Sequence, residues 1–579
     1  MICNDGKSCG FSIAQIIHET VSHKQKTEMK IQKLIVENFR GLKGNQNIID
    51  FDNSNIIFLI GQNNVGKSSF LKAYEFFINP SKKALREDFH NYNTENPIII
   101  TGEFLKEEVD EEDANLNAEP DWINRWVDEN SKVKVRKTWD TINQKFTKQT
   151  FDPETNEWVS NGFGGLHQKL TKYTPEPIVI SAMENESSLE DKVNKLIQDD
   201  FIKKVKEDYP EQYQTIINQI TDLQQRITGN ETVEGFNQDL NTNFQKVFAN
   251  LTLKIEPKEE TNLKVEDAFK KNHSISVQRE GIERRETFIQ NGHGVIRQVL
   301  FNFLTFLKRN SETLRKEYII LFEEPELYLH PKVAFNLRKT LYDLADNSPY
   351  EILCATHSPL MIDISKPHSS LVRITKDNNE ETKTFQIGHN VFHRDEERKH
   401  RVQMINRFNP HICESFYSDK VLLVEGDTET IVYRDILNRL FPEEEIFVLN
   451  TGSKNNIPFF QEILTNFNIE HYVIHDTDTR LNANGNQNSA WTLNQRISEK
   501  IDLANEQSEN LARRYVHVTN FETAHNINLT GKDKPIKAYE FVSNLTMDSD
   551  ASCLNWLKDI IGNKEILHNQ EFIENTEPI

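Results

Sequence analysis

From Met29 the chain reads MKIQKLIVE, apolar and polar positions in alternation, and an Asn-Phe-Arg-Gly turn follows at Asn38–Gly41. Period-two alternation marks a half-buried strand. A domain is therefore expected to begin near residue 29, with residues 1–28 as an appendage. Ile56–Ile60 is apolar throughout, enters a glycine-bounded loop and leads into helical spacing from Ser68 to Phe77. Lys132–Lys137 interleaves basic residues with Val133 and Val135, which predicts an exposed edge strand with one basic face, a DNA contact being the alternative. Between Leu189 and Phe248 glycine and proline are sparse, and Val193, Ile197, Phe201 and Ile216, Ile220, Leu223, Ile227 recur at steps of three and four. That spacing predicts long amphipathic helices, an arm or dimerisation element. Strands are expected at Tyr318–Phe322 and Ile352–Ala355, each leading into a motif-bearing turn, with the first sheet closing around residues 370–390. A linking helix over Glu396–Phe416 then delivers a second strand series at Val421–Val424, Ile446–Leu449, Tyr472–Ile474 and Tyr515–Val518. The Asn-rich text Leu481–Gln495 predicts a long loop, and no repeat of fixed period is evident.

At 579 residues the chain is long enough for three or four structural units. Its 89 acidic and 68 basic side chains leave a net charge of −21. That balance opposes blanket attraction to nucleic acid, so a polyanion partner needs a local basic face or bound metal ions. The longest apolar runs, such as Ile56–Ile60 and Ile319–Phe322, fall far short of the roughly 18 residues a membrane span requires. No basic leader or small-residue cleavage site flanks Phe11–Ile17, so export is not expected. The five cysteines are odd in number and scattered, which fits a reducing cytoplasm. Cys3, Cys9, His18 and His23 can be drawn together as a zinc site, but their spacing is wrong for common fingers and none is expected.

Gly61-Gln62-Asn63-Asn64-Val65-Gly66-Lys67-Ser68 matches G-x-x-x-x-G-K-[ST] in full, between a strand and a helix. Such a loop, with Ser69 behind it, curls its backbone amides round phosphates at a helix N-terminus. Lys67 then reaches the β and γ phosphates and Ser68 ligates Mg²⁺. The strand Ile319–Phe322 ends in Glu323-Glu324-Pro325-Glu326, where a metal-organising carboxylate (Glu323) and a water-positioning one (Glu324) belong. Thr356-His357-Ser358-Pro359 puts an imidazole at another strand tip, the edge where open α/β sheets bind ligands, so His357 is a candidate γ-phosphate sensor.

A second acidic group follows. Val421–Val424 ends in Glu425-Gly426-Asp427-Thr428-Glu429, and two strands later comes His475-Asp476-Thr477-Asp478. Alternate residues of an extended chain point the same way, so Asp476 and Asp478 can face one cation. Carboxylates gathered at one sheet edge repel one another unless divalent ions neutralise them, which indicates oxygen-ligated Mg²⁺ or Mn²⁺.

The first half resembles the ATPase heads of RecF and the SMC proteins, an ABC-type class in which two heads sandwich nucleotide. Asn291–Gln298, with Gly292 and Gly294, occupies the signature position and departs from the LSGGQ form; Glu323 stands where most such ATPases have aspartate. The second half resembles the Toprim domain of topoisomerases, DnaG-type primases and the overcoming-lysogenization-defect (OLD) nucleases. A phosphate-loop head, a helical insertion and then Toprim in one chain is the OLD arrangement, shared by the nuclease subunit of the Gabija anti-phage system. The supporting text is Asn38-Phe39-Arg40-Gly41, Glu324-Pro325-Glu326 with Leu329-His330-Pro331, Thr356–Pro359 and Glu425–Glu429.

The resemblance implies an α/β fold in which an ABC/SMC-like ATPase head with a helical insertion precedes a C-terminal, Rossmann-like Toprim domain. The corresponding boundaries are 1–28 extension, 29–185 head, 186–264 insertion, 265–400 head, and 401–579 linker helix and Toprim. It further implies metal ligation by Glu425, Glu429, Asp476, Asp478 and an acid after the fourth strand, matched by Glu522. Thr451-Gly452-Ser453 matches a strand-tip turn. Lys534, with Lys532 and Lys537 close by, resembles the family's phosphate-charge lysine, a solvated lysine being the alternative. The function implied is an ATP-regulated, metal-dependent DNA endonuclease in anti-phage defence, acting as a homodimer or larger assembly with a possible companion protein. The rival is an ATP-driven DNA-binding or sensor protein of RecF/SMC type whose Toprim domain is a non-cleaving scaffold for a partner subunit. A topoisomerase or primase lacks support, since no strand-passage or zinc-binding region is evident.

Overall fold

The computed structural model describes residues 29–106, 124–162, 174–182, 318–391 and 410–562, apart from a few single positions and 528–533. It also describes short pieces within 208–219, 276–287 and 397–404. The chain divides into two compact units, Met1–Ala182 with Ser311–Ile579, and Met183–Asn310. In the latter the described residues include the antiparallel strands Ser276–Gln278 and Arg285–Thr287. The predicted arm, the Cys3/Cys9/His18/His23 group and the signature loop with Gly292 and Gly294 lie almost wholly or entirely outside the described residues.

The first unit opens with a six-stranded antiparallel sheet in the order Asn47–Asp50, Lys30–Glu37, Ile98–Leu105, Lys132–Trp139, Thr147–Asp152, Glu157–Ser160. Lys132–Trp139 is paired on both sides, so the expected edge strand is interior. The basic residues are shielded rather than set at an edge. Lys132 and Lys134 bridge Glu103, and the Arg136 guanidinium lies 4.2 Å from the centre of the Trp158 ring. Lys137 points the other way. It is buried, and its ammonium donates to the carbonyls of Phe77 and Asn79 at the end of helix Lys67–Ile78, where orphan carbonyls attract a cation.

A second six-stranded sheet runs Thr382–Gln386, Leu371–Lys376, Ile56–Ile60, Tyr350–Ala355, Tyr318–Glu323, Glu176–Ile180. All neighbours are parallel except the Thr382–Gln386 pair. Its central strands are apolar on both faces because helices cover both. Lys67–Ile78 packs Phe70, Leu71, Tyr74 and Phe77 into a core shared with the antiparallel sheet. Pro331–Ala345 covers the other face, with Tyr342 against Phe58.

Beyond the short helical segment Pro410–Tyr417 lies a four-stranded parallel sheet in the order Ile446–Asn450, Lys420–Val424, Glu470–Asp476, Ala512–His517. Helices Asp427–Leu440, Lys534–Ser543 and Ser552–Gly562 build a core on one face. The expected loop Leu481–Gln495 is shorter than its composition predicts. Helix Ser489–Gln507 begins inside it, because the Asn488 side chain accepts from the Ala490 amide and caps its N-terminus. Among the described residues no helix is long and apolar enough to cross a membrane.

Candidate functional site: a phosphate loop and a carboxylate cluster

The strands Tyr318–Glu323, Tyr350–Ala355 and Ile56–Ile60 are adjacent and parallel, with Glu323 opposite Ala355 and Ala355 opposite Leu59. Their tips therefore present Glu323–Glu326, Thr356–Ser358 and the phosphate loop along one edge. Two positions of that loop demand glycine. Gly61 has φ +139°, and a Cβ there would stand 2.3 Å from the Ile374 carbonyl oxygen; Gly66 has φ +107°, and a Cβ would meet Leu42 at 2.6 Å. Asn63, Asn64 and Ser68 are exposed, and the Ser69 hydroxyl accepts from the Gly41 amide.

Lys67 is buried and folds back so that its ammonium donates to the carbonyls of Gly61 (2.8 Å) and Gln62 (2.6 Å). Burial pulls its pKa down to about 8, against the opposing pull of Glu324 and Glu326. Glu324 takes a left-handed backbone (φ 46°) that aims it at His357, 3.8 Å away. Burial and the Lys67 charge push the His357 imidazole below its ordinary value. Glu326, part-buried behind them, ties the tips together by accepting from the Thr356 hydroxyl (2.7 Å) and the amides of His357 (3.2 Å) and Ser358 (3.1 Å). Its hub role has no signature in the sequence, where it reads as one more acid of the Glu-Glu-Pro-Glu turn.

In the four-stranded sheet the two central strands bring Glu425 and Asp476 side by side. Glu425 Oε1 accepts from the Asp476 amide at 2.8 Å. Burial raises Glu425 to about 7, with Glu429 and Asp478 adding to the rise and Lys454 and the Asp476 amide opposing it. Burial and the charges of Glu425, Glu429 and Asp478 raise Asp476 to about 8. Glu429, on the first turn of helix Asp427–Leu440, is buried and raised for the same leading reason. Glu522, after the fourth strand, pairs with Lys534. Burial draws Lys534 down, but Glu522, Glu429 and Asp476 more than offset it and leave the lysine above its ordinary value. All five carboxylates singled out in the sequence thus belong to one electrostatic group, and Lys534 joins them.

Lys454, not singled out in the sequence, also enters. It lies in the turn after strand Ile446–Asn450 and donates to Asp478 Oδ2 (2.7 Å) and the Asp476 carbonyl (2.5 Å). Among the described residues no three His, Cys, Asp or Glu side chains are already gathered as a metal cage. Asp478 and Glu522 each turn an oxygen to a lysine instead. The cluster nevertheless fits an oxygen-ligated cation. Asp476 Oδ1 and Glu522 Oε2 are buried without a hydrogen-bond partner, and the donors are all carboxylates.

The phosphate-loop sheet also meets the four-stranded sheet, at the starts of its strands and away from the carboxylates. Arg373, on the strand beside the phosphate-loop strand, is 3% exposed and donates to the carbonyls of Phe416, Ser418 and Phe467 and to Asp419. The other Asp419 oxygen accepts from Gln62 of the phosphate loop at 2.7 Å.

Residues 29–362 match the family model described as AAA ATPase domain, more than half of the chain. The chain belongs to that family. Residues 416–478 match the TOPRIM domain of overcoming-lysogenization-defect-like proteins, so the AAA ATPase domain is followed by an OLD-like TOPRIM domain. The chain is 22% identical to the Old nuclease of Escherichia phage P2, over 83% of this chain and 81% of that one. It is 24% identical to Endonuclease GajA of Bacillus cereus (strain VD045), over 78% and 75% respectively. Among solved structures, an Smc head domain with an extended coiled coil from Pyrococcus furiosus aligns at TM-score 0.35 and 14% identity, covering 66% of this chain and 100% of that one. In these terms the phosphate loop and His357 belong to the AAA ATPase domain. Glu425, Asp476 and Asp478 belong to the TOPRIM domain, and Glu522 and Lys534 lie beyond the matched TOPRIM residues.

Proposed function

We propose that this protein is an ATP-regulated, divalent-metal-dependent DNA endonuclease in which the TOPRIM carboxylates serve phosphodiester cleavage and the AAA ATPase domain governs assembly or access. One observation carries the reading: Glu425 and Asp476 are hydrogen-bonded together at the centre of the sheet edge, inside a partly buried group with Glu429, Asp478 and Glu522 whose negative charge calls for a cation. Those five residues would hold Mg²⁺ or Mn²⁺, which supplies a more acidic bound water and charge neutralisation at the phosphodiester. Lys534 places an ammonium at the same edge, where it meets the negative charge of a phosphate. The names of the nuclease relatives support a nuclease, and DNA is the substrate proposed.

At the other edge Lys67 would bind the β and γ phosphates. Ser68 and Glu323 would hold the nucleotide's metal, Glu324 would orient water, and His357 would face the γ phosphate. Pairing of heads across Gly292 and Gly294 of a second copy, with the 186–264 insertion, would make a homodimer or larger assembly. Defence against phage, with a companion protein, is the setting proposed.

The test is supercoiled plasmid incubated with Mg²⁺ or Mn²⁺, with and without ATP, beside Asp478→Ala and Lys67→Ala. Loss of cutting in Asp478→Ala with loss only of nucleotide control in Lys67→Ala is the expected result. Cutting that persists in Asp478→Ala refutes the site. A wild-type protein that binds DNA with ATP but never cuts would instead be the non-cleaving scaffold.

A further inference from the structure

Lys454 is 5% exposed, unusual for a lysine, and it stands on a rigid turn. Thr451 fastens that turn to the neighbouring strand, its amide and hydroxyl both donating to the Val424 carbonyl at 3.0 and 2.8 Å. Asn456 donates to the Thr451 carbonyl (2.9 Å), and the Ser453 hydroxyl accepts from the Asn455 amide (3.2 Å). From this edge strand the ammonium reaches past the tip bearing Glu425 to the third strand, where it holds both the Asp476 carbonyl and the Asp478 carboxylate. The backbone of the receiving turn is fixed independently: Thr477 and Asp478 donate to the carbonyls of His517 and Thr519, and Asn494 donates to the Thr477 carbonyl. Asp478 is left-handed (φ 59°), and its side chain is one-third exposed. What Lys454 decides is therefore the orientation of the carboxylate. With Oδ2 engaged, Oδ1 is the oxygen left to face a cation.

Resting on the metal-dependent reading above, we propose that Lys454 is a positioning residue of the TOPRIM site, holding the Asp478 carboxylate in the orientation that receives a divalent cation. Hydrogen-bond partners of metal-ligating carboxylates act in this way, and their loss costs about 10–100-fold in metal affinity or activity. The opposite possibility has the opposite sign. A lysine that merely balances charge competes with the metal, and its removal would tighten binding.

The experiment titrates Mn²⁺ into the nucleotide-free full chain by EPR and calorimetry, for wild type, Lys454→Met, Lys454→Arg and Asp478→Ala, with melting curves alongside. Lys454→Met is expected to bind Mn²⁺ about 10–100-fold more weakly while still melting in one cooperative transition. Plasmid cutting should show a displaced Mn²⁺ half-saturation and a turnover that recovers at high Mn²⁺. Lys454→Arg keeps the charge but cannot place one ammonium on both oxygens, so it too should weaken binding; it carries the test if Lys454→Met fails to fold. Unchanged or tighter binding in the folded variants overturns the proposal and leaves the nuclease reading intact. A wild type that takes up no Mn²⁺ overturns both, and cutting that survives in Asp478→Ala removes the site itself.

Discussion

Replacing Asp476 by asparagine should make the metal-free protein more stable while ending its capacity to load metal. Asp476 is partly buried among Glu425, Glu429 and Asp478, and its carboxyl is raised from 3.8 to about 8. A carboxyl with a native value near 8 keeps its proton longer in the folded chain than in the unfolded one. Native stability from this group is therefore greatest in acid and falls as pH rises from about 4 to about 8. Each pH unit in that window removes about 1.4 kcal/mol, a ceiling of about 6 kcal/mol for the full interval. Asparagine has the same shape and no charge, but its amide remains a desolvated polar group, and Asp476 Oδ1 already lacks a partner. About half the ceiling, roughly 3 kcal/mol, is the expected gain at pH 9, or about 6–12 °C in melting temperature for a domain of this size. At pH 5 only about a fifth to a third of that effect remains, because wild-type Asp476 is then protonated. The assay is thermal melting in EDTA at pH 5 and pH 9, repeated with Mg²⁺, which should raise the wild type and leave Asp476→Asn unmoved. A variant no more stable than wild type at pH 9 refutes the claim that repulsion and burial dominate this site.

Other consequences follow from the same geometry. Because Glu425 and Asp476 hold protons up to about 7 and 8, Mn²⁺ uptake should release protons and tighten from pH 6 to pH 9; calorimetry in buffers of different ionisation enthalpy reads the proton count directly. Lys67→Ala should lower ATP affinity by about 10–100-fold, since a charge-assisted hydrogen bond from the ammonium to phosphate contributes about 1.5–3 kcal/mol, and equilibrium nucleotide binding checks it. Glu324→Gln should keep ATP binding and lower hydrolysis by about 10²–10⁴-fold, measured as phosphate release. Arg373→Met strips the junction of a buried guanidinium and leaves the carbonyls of Phe416, Ser418 and Phe467 without that donor; a loss of about 3–5 kcal/mol is expected from denaturant unfolding.

Much of the carboxylate cluster was legible in the sequence because parallel α/β topology does the gathering. Parallel strands that are neighbours end at one sheet edge, so Glu425, just past Val424 opposite Ile474, comes within reach of Asp476, two residues past Ile474. The phosphate loop was legible for a similar reason, since loop and helix N-terminus are covalent neighbours. The edge position expected of Lys132–Lys137 was not recoverable. Alternation fixes the two faces of a strand but says nothing about how many neighbours it has, and Thr147–Asp152 supplies the second. Nor did composition reveal that a helix starts at Ser489 in Asn-rich text, because the cap that starts it is one side-chain oxygen.

Local sequence by itself determined the order of strand, tip and helix and hence which acids share an edge, because those relations are set by covalent neighbours and by a topology with few alternatives. Only the tertiary structure decided which cations answer those acids: Lys454 for Asp478, Lys534 for Glu522, and Arg373 for the junction at Asp419. A long flexible side chain can reach several partners from one position in the sequence. The choice among them depends on which carbonyls and carboxylates packing has already stripped of water, a property of the folded interior that no stretch of sequence carries alone.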